Sequence, residues 1–226
     1  MHPNPAIREA LDLAANGRKD LARDRLRQLQ AAAPDDPELL YVLGSLNAEL
    51  GDAAAARQLL GALLERQPGH AGAAIAMDAV LRHAPDPTAC AAMWARYVAA
   101  VPMDLGGRIR HIAALLACGE TEEAERRRLA LELDAADPSL QLAVAQVFHQ
   151  AGQATQAIEH YRRYVAAHPD DRDARRNLAA ALQSLGRFDE AEPLYEALLC
   201  EDAGDAGGVV HGAVVDRISR LVGRTY

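Results

Sequence analysis

The sequence contains few of the residues on which several large classes of protein depend. Its 226 residues include only nine aromatic side chains, three cysteines and one lysine, Lys19. A large β-sandwich would be richer in aromatic and β-branched residues, so that architecture is disfavoured. The three cysteines stand far apart without a CxxC pair. We therefore expect buried thiols in a reducing compartment, the cytoplasm, rather than a disulfide framework.

Charge and hydrophobic patterning argue against two classes of partner. A formal net charge of −8 has the wrong sign for a general nucleic-acid binder, so the arginine clusters at 126–128, 162–163 and 172–176 are not interpreted as a nucleic-acid site. The arginines at 162–163 are interpreted as solvated surface, and the group at 172–176 could form part of a groove that meets an acidic peptide. Residues 138–158 carry no formal charge but contain five glutamines and a histidine, which is too polar for a membrane span. Residues 1–17 lack the features of a secretory signal. We expect no nucleic-acid and no membrane partner.

The sequence shows no arrangement of residues that is typical of catalysis. It has no glycine-rich phosphate loop, no GxSxG and no HExxH. The carboxylate pairs Asp35–Asp36 and Asp170–Asp171 adjoin prolines in predicted turns, where aspartate is common. His149 and His160, which a hairpin would bring near each other, lack a third ligand for a metal. The sequence therefore predicts a protein that is not an enzyme and has no cofactor and no metal site.

Alanine is the residue that the sequence has in excess, with 49 copies. Alanine has the highest helix propensity, and its small side chain lets helices pack closely, so the composition favours an all-α fold. Half of the residues are apolar, which is enough to bury a sizeable core. The alanine excess and the 23 arginines against one lysine are also typical of a GC-rich bacterial genome.

Glycines recur at a spacing of about 34 residues, and further columns of residues keep step with them. The glycines are Gly17, Gly51, Gly119, Gly152 and Gly186, and the one missing position of the series is occupied by Pro85, another helix breaker, which makes six slots. Five positions after each slot stands a small residue, namely Ala22, Ala56, Cys90, Ala124, Ala157 and Ala191. Nine positions after each slot stands a bulkier one, namely Leu26, Leu60, Trp94, Arg128, Tyr161 and Tyr195, with Arg128 as the exception to its apolar character.

One repeat is interpreted as two helices that meet at a glycine. Over 172–185 the apolar residues have helical spacing, and Gly186 ends the helix because glycine tolerates the left-handed backbone of a helix C-terminus. Asp189 and Glu190 place negative charge at the start of a second helix, whose apolar stripe lies within 191–198. A single hairpin of this kind cannot bury its own apolar faces, so neighbouring hairpins must stack.

These units resemble tetratricopeptide repeats. The segment NLAAALQSLGRFDEAEPLYEALL matches the family pattern of leucine, small residue, leucine, glycine, alanine, tyrosine and leucine. We assign six repeats, at 3–36, 37–70, 71–104, 105–137, 138–171 and 172–205. The resemblance implies a right-handed α-α superhelix, a solenoid of stacked antiparallel helix hairpins over residues 1–205.

The resemblance also implies a binding surface. In this family the first helix of each hairpin lines a concave groove that binds peptides, and the matching positions here nominate eleven residues. They are Tyr41, Ser45, Glu49, Ile75, Arg82, Arg110, Gln146, His149, Arg176, Asn177 and Gln183. Their mixture of apolar, amide and basic groups suits a peptide better than a charged polymer.

The C-terminal segment 206–226 is predicted to be one amphipathic helix, whose apolar stripe consists of Val210, Val214, Ile218, Leu221 and Val222. Such a helix would cap the last repeat, since a terminal repeat leaves an apolar face uncovered. The alternative is a dimerisation helix that produces a homodimer.

We therefore expect a non-catalytic scaffold or adaptor that binds a peptide or protein segment in its concave groove. Two alternatives remain. Bacterial repeats of this type resemble accessory or targeting modules of transferases and hydroxylases, and here such an enzyme would be a separately encoded chain. The other alternative is a secretion or envelope-assembly factor.

Overall fold

The computed structural model describes residues 4–83, 86–134 and 138–205, and in that part of the chain the regular structure is helical throughout. The helices are α1 (Pro5–Ala15), α2 (Lys19–Ala32), α3 (Pro37–Glu49), α4 (Ala53–Arg66), α5 (Ala71–His83), α6 (Pro87–Ala100), α7 (Leu105–Ala117), α8 (Thr121–Asp134), α9 (Pro138–Gln150), α10 (Ala154–Ala167), α11 (Arg172–Ser184) and α12 (Phe188–Asp205).

The chain forms two compact units, residues 1–120 with α1–α7 and residues 121–226 with α8–α12. In the first unit α1 packs on α2, α3 on α4, and α6 on both α5 and α7. In the second unit α10 packs on both α9 and α11, and α11 packs on α12. The predicted all-α helical repeat fold is confirmed. The six repeat boundaries stay a prediction, and the predicted helix over 206–226, with its capping or dimerising role, lies outside the described residues.

The five glycines of the 34-residue spacing all adopt a left-handed backbone, with φ between 70° and 82°. Each one follows the first helix of a pair. After Gly186 the N–H of Arg187 donates to the carbonyl of Leu182 at 3.0 Å, and after Gly51 the N–H of Asp52 donates to the carbonyl of Asn47 at 2.9 Å. These hydrogen bonds satisfy carbonyl groups that have no partner within the helix at its C-terminus. They require a positive φ at the glycine. The prediction that glycine ends the first helix is confirmed.

Aspartates begin several of the first helices. The carboxylate of Asp36 accepts hydrogen bonds from the N–H groups of Glu38 and Leu39, at 2.9 and 3.2 Å. The carboxylate of Asp171 accepts one from the N–H of Ala174 at 3.0 Å. Both therefore act as N-caps, which satisfy N–H groups that a helix start leaves open. Asp35 and Asp170 lie in the turns before these helices, so the interpretation of the two aspartate pairs as turn formers is confirmed.

The columns of small and bulky residues lie in the core. All six members of the small column are buried, and so are all six of the bulky column, including Arg128. Arg128 donates hydrogen bonds to both carboxylate oxygens of Glu125, at 2.8 and 2.5 Å. These hydrogen bonds hold the pKa of Glu125 below its usual value. Arg128 thus occupies an apolar position because its stem packs inside while a neighbour on the same helix neutralises its charge.

Two tyrosines link a hairpin to the start of the next one. The hydroxyl of Tyr97 on α6 donates to Asp104, the N-cap of α7, at 2.6 Å. The hydroxyl of Tyr164 on α10 donates in the same way to Asp171, the N-cap of α11, at 2.9 Å. In both cases the tyrosine precedes its aspartate by seven residues, so each unit contains one copy of the same link.

We expect Tyr97→Phe to lower the free energy of unfolding by about 1–2 kcal/mol, because the Asp104 carboxylate loses the hydroxyl donor of a buried tyrosine. The hydrogen bond to Asp104 and then burial raise the pKa of Tyr97 to about 12. Since the unfolded value is about 10, this stabilisation is complete below pH 10 and is lost as the pH rises to about 12. Denaturant titrations at pH 7 and above pH 10 measure both effects.

The matched control for that variant is Tyr41→Phe. The hydroxyl of Tyr41 donates no hydrogen bond within the part of the chain that the structure describes, so its removal should change stability by less than about 0.5 kcal/mol. Equal effects of the two substitutions would refute a stabilising link through Asp104.

The uncharged tract 138–158 forms a hairpin rather than a single long helix. It contains α9 and the start of α10, with a turn at Gly152 between them. Across residues 4–83, 86–134 and 138–205, none of the helices combines the length and the apolar character that crossing a membrane requires.

Candidate functional site

Six of the eleven predicted groove residues lie in the first unit, on the first helices of consecutive hairpins. Tyr41, Ser45 and Glu49 are on α3, Ile75 and Arg82 are on α5, and Arg110 is on α7. The structure joins two of them, Arg82 and Arg110, through a residue that the sequence did not single out.

That residue is Asp78, a buried carboxylate on α5 with four partners. Its Oδ1 accepts hydrogen bonds from the Trp94 indole N–H at 3.0 Å and from the Cys90 thiol at 3.1 Å. Its Oδ2 forms ion pairs with Arg82 at 3.0 Å and with Arg110 at 3.5 Å. One buried aspartate therefore links α5, α6 and α7. We call Asp78, Cys90, Trp94, Arg82 and Arg110 the Asp78 cluster.

The Asp78 cluster has a buried side and a solvent-exposed side. Trp94 and Cys90 are buried, whereas the side chains of Arg82 and Arg110 are 67% and 42% exposed. The Arg110 guanidinium also lies over the Trp94 ring, 5.7 Å from its centre, which is within the range of a cation–π interaction. Burial, followed by the hydrogen bond to Asp78, raises the pKa of Cys90 to about 12. The thiol therefore stays protonated and is not a nucleophile.

A comparison of repeats could have revealed Asp78 from the sequence. The other five predicted repeats have an uncharged residue at the position equivalent to Asp78, namely Ala10, Gly44, Ile112, Ala145 and Ala179. A carboxylate in a column of small or apolar residues signals a buried polar partner, because an unpaired buried charge is costly. The third repeat supplies those partners with Cys90 and Trp94 in its second helix.

The four remaining predicted residues of the first unit differ in their solvent exposure and in the residues they contact. Ile75 is 46% exposed, on the same face of α5 as Arg82 seven residues later. Glu49 forms an ion pair with Lys19 of α2 at 2.8 Å. Tyr41 lies beside His70, with ring centres 5.0 Å apart, and the hydroxyl oxygen of Ser45 is buried without a hydrogen-bond partner.

The other five predicted residues lie in the second unit. Gln146 and His149 are on α9, and Arg176, Asn177 and Gln183 are on α11. Arg176 forms an ion pair with Asp173 of its own helix at 2.6 Å, and the Oε1 of Gln183 accepts a hydrogen bond from Tyr195 at 3.0 Å. Gln146 is exposed and Asn177 partly so. Among the residues of this unit that the structure describes, no charged cluster like that of Asp78 joins these five.

The two histidines of the α9–α10 hairpin bind different partners. A ring nitrogen of His160 lies 2.7 Å from Oε1 of Gln141, and His160 stacks on Phe148. His149 instead lies edge-on to Tyr161, with ring centres 6.0 Å apart. Among the residues that the structure describes, no three histidine, cysteine, aspartate or glutamate side chains gather as a metal site would require.

Sequence comparison places repeats of one family over most of the chain. Two profiles described as tetratricopeptide repeat match it, one over residues 7–71 and 114–171 and the other over residues 148–207. None of the curated proteins compared with the sequence matches it.

Three solved structures are similar over most of the chain. A tetratricopeptide repeat protein from Parabacteroides merdae ATCC 43184 has 13% identity and a TM-score of 0.66, with 97% of this chain and 98% of that chain covered. PilW, described as a widely conserved type IV pilus biogenesis factor, has 15% identity, a TM-score of 0.61 and coverages of 87% and 92%. YrrB, described as having an unusual peptide-binding site, has 16% identity, a TM-score of 0.56 and coverages of 76% and 90%. At these identities the likeness concerns the fold.

Proposed function

Because the chain belongs to the tetratricopeptide repeat family, we propose that it is a non-catalytic interaction module that binds an acidic peptide segment of a partner protein. Repeats of this family typically serve as protein-interaction modules. The observation that carries the acidic preference is the Asp78 cluster, which holds two partly exposed arginines beside each other on consecutive first helices.

The charges of this cluster favour an anionic ligand. Two guanidinium groups face one carboxylate, so one positive charge remains uncompensated inside the cluster. Each guanidinium carries five N–H donors, far more than Asp78 can accept. A carboxylate of a peptide would accept charge-assisted hydrogen bonds from the N–H groups that Asp78 leaves unpaired. Exposed Ile75, on the same face of α5 as Arg82, would contact an apolar side chain of the same peptide.

Asp78 makes this arrangement rigid before a ligand arrives. A free arginine side chain loses rotamer freedom when it binds, which weakens affinity. Here Arg82 is tied to its own helix by the carboxylate four residues earlier, and Arg110 is tied by the same carboxylate and by Trp94. The other groove positions of the first unit that the family resemblance implies would supply the remaining modest contacts.

We expect a random peptide library panned against the full chain to enrich sequences with aspartate or glutamate. The double variant Arg82→Ala/Arg110→Ala should weaken the selected peptides about tenfold or more, equivalent to about 1.4 kcal/mol, in fluorescence polarisation with labelled peptides. The control Arg18→Ala/Arg66→Ala removes the same charge from two other arginines of the first unit and should leave affinity unchanged. Peptides without acidic residues, or equal binding by both double variants, would refute the proposal.

The broader roles stay predictions. We also propose a cytoplasmic location, supported by three free cysteines. The expectation that all three thiols are buried is wrong, since only Cys90 is buried, whereas Cys118 is partly exposed and Cys200 is exposed. Stoichiometric co-purification with a transferase or hydroxylase would select the accessory role over a general scaffold, and co-purification with an envelope component would select the assembly role.

A further inference from the structure

Three contact points of the first unit follow one another along α5. The first is the hydroxyl of Tyr41, which lies over Gly72, where an added Cβ atom would come within 2.8 Å of the hydroxyl oxygen. The second is the exposed side chain of Ile75. The third is the pair of arginines held at Asp78. Gly72, Ile75 and Asp78 succeed each other at intervals of three residues, and side chains with this spacing on a helix lie about 5–6 Å apart.

All three contact points are accessible to a ligand. Ile75 is 46% exposed, and both arginines of the third point are partly exposed. Tyr41 is partly exposed as well, and its hydroxyl oxygen, unlike that of Ser45 one turn later, is not a buried atom. Ala79 lies between Ile75 and Arg82 on the same face of α5. Its small side chain leaves the surface between the second and third points open.

The first and third contact points carry hydrogen-bond donors without partners. The hydroxyl of Tyr41 donates no hydrogen bond within the part of the chain that the structure describes. The two guanidinium groups have more N–H donors than Asp78 can accept. An α-helical ligand satisfies its own backbone carbonyls, whereas an extended peptide leaves them free to accept from such donors. The unpaired donors therefore favour an extended ligand.

The distance between the second and third contact points also matches an extended chain. Such a chain rises about 3.3 Å per residue, so side chains two residues apart point to the same face about 6.6 Å from each other. This is close to the spacing between Ile75 and the arginine pair at Asp78. Adjacent residues of the ligand would point to opposite faces, and residues four apart would be about 13 Å from each other, which is too far.

We propose that the first unit recognises a short extended motif, in which an aliphatic residue stands two positions from the acidic residue. The acidic side chain pairs with Arg82 and Arg110, and the aliphatic side chain packs on Ile75. Beyond the aliphatic residue, the hydroxyl of Tyr41 donates to a backbone carbonyl of the peptide. This inference rests on the proposed function, and it adds the nature and the spacing of a second recognised residue, for which Ile75 determines the specificity.

A series of synthetic peptides tests the spacing. Each peptide has blocked ends and contains one glutamate and one leucine in a chain of serine and glycine, with the leucine placed one to five positions from the glutamate on either side. Fluorescence polarisation with the full chain should show the tightest binding at a separation of two, on one side of the glutamate. This peptide should bind about fivefold more tightly than a peptide without leucine.

Two variants and a control assign the contacts. Ile75→Ser should weaken the best peptide about fivefold and leave the peptide without leucine unaffected. Tyr41→Phe should weaken the best peptide about threefold. The matched control is Leu21→Ser, because Leu21 on α2 is also 46% exposed, and it should bind both peptides like the natural protein. Circular dichroism checks that all three variants keep the helical fold.

The outcomes separate this inference from the proposed function. If the affinity does not depend on the position of leucine, or is highest at a separation of four as a helical ligand requires, the motif is wrong while the acidic preference stands. Equal effects of Ile75→Ser and Leu21→Ser would also refute the motif. If peptides with glutamine in place of glutamate bind equally well, or if none of the peptides binds, the proposed function is wrong and the motif fails with it.

Discussion

Replacing Asp78 by alanine is expected to lower the free energy of unfolding by about 2–4 kcal/mol. The variant leaves the indole N–H of buried Trp94 without its acceptor and removes the hydrogen bond from Cys90. It also leaves a small cavity next to Trp94. Arg82 and Arg110 contribute less to this loss, because both are partly exposed and can be solvated by water when their partner is removed.

Trp94 makes this prediction easy to measure, because it is the only tryptophan of the sequence. Its fluorescence during denaturant unfolding reports on the first unit. The control is Asp35→Ala, which breaks the exposed ion pair between Asp35 and Arg66 in the same unit and should cost less than about 1 kcal/mol. If Asp78→Ala costs no more than this control, Asp78 does not hold α5, α6 and α7 together.

The variant Gly107→Ala should also be strongly destabilising, by about 2–3 kcal/mol. A Cβ atom at Gly107 of α7 would lie 2.4 Å from Cε1 and 2.8 Å from Cδ1 of Tyr97. The Tyr97 ring cannot move aside easily, since it is buried, packed edge-on to Trp94 and hydrogen-bonded to Asp104. The added methyl group must therefore push α6 and α7 apart or break the hydrogen bond to Asp104.

The matched control is Gly61→Ala, in the middle of α4. There a Cβ would meet only the Cε of Met77, at an ordinary distance of 3.7 Å. Alanine is the better helix former, so this change should stabilise the protein by about 0.5–1 kcal/mol. Opposite signs for the two glycine variants in denaturant titrations are the expected result, and a stabilising Gly107→Ala would contradict the close packing of α6 on α7.

The fold was largely predictable because the residues that each hairpin requires recur several times in the sequence. A left-handed glycine and a small residue at the helix contact recur in almost every copy, so one unclear repeat is interpreted through its neighbours. Arg128 illustrates the limit of this approach. The column predicted an apolar residue, and only the structure reveals that Glu125 neutralises a buried guanidinium there.

The candidate site was harder to predict, because it depends on a departure from the repeat. Family positions led to Arg82 and Arg110, but the carboxylate that joins them belongs to a core column, where charge is not expected. The hydrogen bonds from Tyr97 and Tyr164 to aspartates seven residues later also depend on three-dimensional geometry that the sequence does not state.

The tyrosine–aspartate links have a consequence for how neighbouring hairpins melt. The aspartate at the start of α7 accepts a hydrogen bond from a tyrosine of α6, and the aspartate at the start of α11 accepts one from a tyrosine of α10. Loss of the earlier hairpin therefore weakens the start of the later helix. In a linear array of repeats such nearest-neighbour coupling makes adjacent hairpins unfold together rather than one at a time. A truncation that ends between a tyrosine and its aspartate would break this cooperativity, so shortened versions of the chain should keep the two residues on the same side of the cut.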